Sequence, residues 1–224
     1  LSTNFKNRLT ISSFSLIFIE ETTNATEKTD ATFVWPGKEP PLMRNTKTMN
    51  ITVIGLMTAV LCILGPLSLV IPVSPVPISL TNFAVCLTVV LLGMKRGTLV
   101  TLGYLFIGLI GVPVFSAFTG GPGKLIGPTG GYLIGFVFLA LIAGFAVDRH
   151  PGKAVWTALG MVLGTLVLYG LGTAWLAYSA GMTFPQALLA GVVPFIPGDA
   201  VKIALAIAIG FPVKKRLLKA GILK

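Results

Sequence analysis

Residues 128–147 read Pro-Thr-Gly-Gly-Tyr-Leu-Ile-Gly-Phe-Val-Phe-Leu-Ala-Leu-Ile-Ala-Gly-Phe-Ala-Val, a run without a charge that is closed by Asp148-Arg149-His150. As a helix it rises about 30 Å, the thickness of a bilayer's hydrocarbon core. The pattern repeats on both sides. Apolar runs at about 51–72, 79–94, 97–112, 154–178 and 195–213 alternate with Gly, Pro and charged breakers. The expected fold is an all-α integral membrane bundle of six transmembrane helices. The runs at 79–94 and 97–112 are short, so tilt, local thinning or burial inside the bundle has to compensate.

Composition agrees. The 224-residue chain is 54% hydrophobic and 11% charged, with a mean hydropathy of +0.90, outside the range of soluble domains. Five of the seven acidic residues fall in the first fifty positions, leaving Asp148 and Asp199 for the rest. Residues 1–48 are polar and hold one apolar stretch, 11–19, too short to span a bilayer. They are expected to be a disordered or non-native extension, with a membrane domain over 49–224 that starts near Met43 or Met49. Cys62 and Cys86 each sit inside an apolar run without metal-ligand spacing, as small packing residues do.

The net charge of +10 reads as topology rather than as affinity for nucleic acid. Lys95-Arg96 follow the second run, Arg149 and Lys153 the fourth, and Lys214, Lys215, Arg216 and Lys219 the sixth, whereas the other loops hold only Lys124. Basic residues near span ends stay in the cytoplasm, so both ends are expected inside and three loops outside. The outer loops are irregular: 71–78 is proline-rich, 113–127 reads PVFSAFTGGPGKLIG, and the third ends in Pro194-Phe-Ile-Pro-Gly-Asp199. Irregular backbone at membrane depth survives where it is buried in protein or lines a cavity, which suggests a ligand pocket open to the outside.

Asp199 and Lys202 are the strongest candidates for that pocket. Ionisable residues in an apolar helix are costly and face a bundle interior or a wet site, and three-residue spacing puts both on one face. An ion pair that only locks the helix is the plainer alternative. The position of Asp199 at the N-terminal end of its helix, where free N–H groups and the dipole favour an anionic ligand group, favours a site. Gly127-Pro-Thr-Gly-Gly-Tyr132 is either a flexible entry to the fourth helix or a stretch where backbone approaches a ligand beside Thr129 and Tyr132. Asn82, Phe115, Phe118 and Thr119 add an amide, two rings and a hydroxyl, each with a plainer reading as an interfacial or span-end residue. His150 reads as part of a solvated turn. The pairs Gly55/Ala59 and Gly160/Gly164 have small-xxx-small spacing, which suits internal packing or docking to another subunit.

Five stretches in order, PVPISL (75–80), LLGMKRG (91–97), GVPVF (111–115), GPTGGYLIGF (127–136) and PFIPGDAVK (194–202), resemble the BioY family over nearly all of 49–218. The resemblance implies a biotin-capturing S component of an energy-coupling factor (ECF) transporter in the cell membrane. Its implied partners are biotin, a transmembrane T subunit and two cytoplasmic ATPase subunits. It further implies that Asp199 accepts hydrogen bonds from the ureido ring of biotin, that Lys202 helps bind polar or anionic groups, and that Gly55 and Ala59 dock on the T subunit. Lys202 and Lys124 both remain open as partners of the valerate carboxylate. The family's usual run has glutamine where this chain has Asn82. Other expectations are an S component for another small vitamin, or a solitary vitamin transporter. No Walker motif is present, and one carboxylate with one lysine makes no base–nucleophile or metal set. No enzymatic activity, cofactor or metal is therefore expected.

Overall fold

The computed structural model describes residues 46–69 and 76–223, which belong to one compact unit, Asn45–Lys224. Positions 1–45 of the expected extension lie outside the described residues, whereas 46–48 already form the first turn of a helix. That helix, α1 (Thr46–Leu64), stops at Gly65-Pro66, short of the expected end at 72. Proline has no N–H to continue the ladder and clashes with the preceding turn. Next, β1 (Ser68–Leu69) pairs antiparallel with β2 (Ile78–Ser79), Ser68 opposite Ser79. The intervening part of the proline-rich loop, 70–75, lies outside the described residues.

Helix α2 (Thr81–Leu109) holds two of the expected runs in one assignment, interrupted at Gly93, whose φ is 76° and ψ −170°. The chain folds back there. Gly97 lies against Val89, whose Cα is 3.3 Å from where a Cβ on residue 97 would sit, whereas eight residues of straight helix span about 12 Å. The connection is thus a tight turn at one glycine and not the expected loop at Lys95-Arg96. The amide of Met94 donates to Asp148 Oδ2 at 2.9 Å, which satisfies a free N–H where the second arm begins. A Cβ at position 93 would run into the Asp148 carboxylate. Gly93→Ala is accordingly expected to cost about 3 kcal/mol, read as a lower melting temperature of the detergent-purified chain. A variant as stable as the parent would show that the turn does not need glycine.

The rest of the bundle comprises α3 (Pro122–Ile126), α4 (Gly130–Arg149), α5 (Ala154–Ala180), α6 (Phe184–Gly191) and α7 (Ile196–Lys219). Helix α2 packs on α1, α4 and α7, and α4 packs on α2 and α5. Gly160 and Gly164 serve this packing: they face Ala143 and Leu139 of α4. Gly55 differs, since nothing lies within 4 Å of a Cβ built there, and both it and Ala59 are exposed. Helix α6, unforeseen in the third loop, is opened by a capping box between Thr183 and Gln186. By length and composition, the four helices α2, α4, α5 and α7 are long and apolar enough to cross a membrane, and α1 is a shorter apolar helix.

Candidate functional site

At the end of the bundle opposite Gly93 and Asp148, the first turns of α2, α4 and α7 surround a cavity. It is lined mostly by apolar side chains, and part of it is open to solvent. Asp199, in the first turn of α7, forms its floor. The residue is only 6% exposed, yet both carboxylate oxygens are engaged: Oδ1 accepts from Lys202 Nζ at 2.9 Å and Oδ2 from the Tyr169 hydroxyl at 2.6 Å. Lys202 also donates to the Ser79 carbonyl at 2.8 Å, which ties α7 to β2. The internal ion pair and the pocket are one arrangement. A buried ion pair contributes little to stability by itself. A carboxylate has about four lone-pair sites, so Asp199 retains acceptor capacity beyond these two bonds.

Tyr132 forms a wall. Its hydroxyl donates to the Gly191 carbonyl at 3.0 Å, joining α4 to α6, and both residues line the cavity. Thr129, at the N-terminal cap of α4, also lines the space. The glycine-rich entry is pinned by Trp175, whose indole N–H donates to the Gly127 carbonyl at 2.9 Å. Phe115 is fully buried, edge-on to Tyr104 with centroids 5.6 Å apart, and lines the cavity, as do Phe136 and Phe195.

Asn82, in the first turn of α2, is 5% exposed and lines the cavity, and its Nδ2 has no hydrogen-bond partner. An unsatisfied buried donor costs about 1–3 kcal/mol, a cost that an acceptor placed in the cavity would remove. Lys124, half-buried in α3, brings a second cation to the rim.

Of the eight residues singled out from sequence, Asp199, Lys202, Tyr132, Thr129, Asn82 and Phe115 surround this one cavity. Phe118 and Thr119 do not. The chain turns back after Phe115 through Ala117 and Phe118, both with positive φ, and Thr119 pairs with Phe115. Phe118 thereby projects outward, 67% exposed, and the Thr119 hydroxyl donates to the Ser116 carbonyl. Tyr169 escaped the sequence reading. Its signal was a phenolic hydroxyl in the middle of an apolar helix, where it needs a buried partner.

The cavity therefore offers an ionised acceptor, an amide donor and ammonium groups inside aromatic walls. It suits a small, largely apolar ligand with adjacent N–H and C=O groups. Among the described residues no cluster of His, Cys, Asp or Glu could hold a metal ion.

Known proteins share both the sequence and the architecture. The chain is 37% identical over 163 residues to the probable biotin transporter BioY of Pyrococcus horikoshii, covering 73% of this chain and 94% of that protein. It is 37% identical over 161 residues to the biotin transporter BioY of Thermotoga maritima, covering 72% and 93%. Its fold matches the crystal structure of the S-component for biotin from an ECF-type ABC transporter with a TM-score of 0.72 at 31% identity, covering 78% of this chain and 95% of that one. Residues 38–219 match the BioY family across both arms of α2, the cavity and α7, and the chain belongs to that family.

Proposed function

We propose that this chain captures biotin as the membrane-embedded substrate-binding subunit of an ECF-type transporter. The observation that carries the reading is the buried Asp199 carboxylate, held by Tyr169 and Lys202 beside the unpartnered Asn82 donor. A ureido ring presents N–H groups that complement Asp199 and a carbonyl that complements a donor. The thioether ring and aliphatic tail then pack on Phe115, Tyr132 and Phe136. Lys202 is already engaged by Asp199 and Ser79, which favours Lys124 as partner of the valerate carboxylate.

In this reading the bundle crosses the cell membrane six times, counting α1, the two arms of α2, α4, α5 and α7. Lys95, Arg96, Arg149, Lys153 and the Lys214–Arg216 cluster lie at the end away from the cavity, so retention of basic residues in the cytoplasm turns the cavity outward and leaves both ends of the domain inside. Residues 1–37, which precede the stretch matched to the family, are dispensable for capture. A T subunit and two cytoplasmic ATPases supply the energy.

Competition on the purified full-length chain tests the ligand. Unlabelled biotin is expected to displace labelled biotin completely, the neutral carboxamide of biotin more weakly, and thiamine and riboflavin not at all. Displacement by thiamine or riboflavin at lower concentration than biotin would assign the site to another vitamin.

A further inference from the structure

Residues 82 and 86 are four apart in α2, hence on one helical face. There the Cys86 thiol donates to Asn82 Oδ1 over 3.8 Å. Cys86 is 1% exposed, so water does not compete for it. The other end of the same carboxamide, Nδ2, is buried and unpartnered, and Asn82 is among the residues that line the cavity. A carboxamide can exchange its oxygen and nitrogen ends by a half-turn with almost no change in shape, so its hydrogen-bond partners decide which end faces where. We infer that Cys86 is a positioning residue that keeps the Asn82 oxygen turned inward and its NH2 group turned to the cavity.

The consequence is polarity. With the thiol in place the site presents the charged acceptor of Asp199 and a donor at Asn82. Without it either end of the carboxamide can face the cavity, and the oxygen would set a second acceptor where the ligand's own acceptor has to lie. This role rests on the biotin-capture reading for its effect on affinity, but the thiol–amide contact can be observed without any ligand. Packing alone would accept any small apolar side chain at 86, whereas positioning requires a donor there.

Two measurements test it. The first is the infrared S–H stretch of the unliganded full-length chain carrying Cys62→Ala, which removes the only other thiol. The Cys86 band is expected at the lowered frequency of a hydrogen-bonded thiol and should move to the free-thiol frequency in Asn82→Ala. An unchanged band would overturn the contact. The second is biotin affinity. Cys86→Ala is expected to bind about three- to fivefold more weakly, as for the loss of a weak hydrogen bond, and Cys86→Ser, which keeps a donor, should restore parental affinity. In an Asn82→Ala background, Cys86→Ala should change nothing further. Parental affinity in Cys86→Ala, failure of serine to rescue it, or an equal loss in both backgrounds would each overturn the positioning role. A parent chain that binds no biotin while its S–H band still responds to Asn82→Ala would leave the orientation standing and remove the biotin reading alone.

Discussion

Asp199→Asn is expected to weaken biotin binding about a hundredfold, while the protein stays folded in detergent. The substitution is isosteric, so the cavity keeps its shape. What is lost is the charge that two neighbours address: Tyr169 keeps only a neutral acceptor, and Lys202 is left with the Ser79 carbonyl. The ligand loses a charged acceptor for its N–H groups, and hydrogen bonds to charged groups are worth about 1.5–3 kcal/mol. Removing the counter-charge of the largely buried Lys202 costs about 3–5 kcal/mol of stability, so a helical, monodisperse chain at the assay temperature, rather than an unchanged melting temperature, separates this effect from misfolding. Affinity within about threefold of the parent, well under the tenfold that about 1.4 kcal/mol produces, would show that Asp199 serves only the ion pair.

The second large effect concerns transport rather than capture. Leucines in place of Gly55 and Ala59 are expected to reduce cellular biotin uptake more than about tenfold, with biotin affinity of the purified chain unchanged. The two positions lie four apart on an exposed strip of α1, near Ile51, Leu56 and Ile63, whereas Met57, Thr58 and Leu61 face inward toward the bundle. New side chains there meet open space and leave the cavity alone. Small residues allow close approach of a neighbouring helix, which fits docking to a T subunit. Undiminished uptake would place that docking on another face.

Much of this was legible in the sequence because a bilayer imposes coarse rules. Length and apolarity located α4, α5 and α7, and the cost of a lone carboxylate in an apolar helix singled out Asp199. The Gly160 and Gly164 pair was legible only as a close approach; which helix approaches, α4, depends on the whole bundle. The fold-back at Gly93 was expected at Lys95-Arg96, since charges mark loops, yet one glycine with positive φ and a carboxylate from α4 make the turn without a loop. Phe118 was misplaced for a related reason. Successive left-handed residues reverse the chain locally, and composition does not reveal which ring of Phe115 and Phe118 ends inside. Tyr169 was hidden by its surroundings, because a tyrosine in an apolar run resembles any other aromatic until its partner is known.

Asp199, Tyr169 and Asn82 contribute the polar groups of the cavity from three helices far apart in sequence, and biotin is the ligand proposed for them. Saturation binding of labelled biotin to the detergent-purified full-length chain, without ATP or any partner subunit, tests that proposal most directly. Saturable, stoichiometric binding that is lost in Asp199→Asn is the predicted result; a folded, monodisperse parent chain that retains no biotin would contradict it.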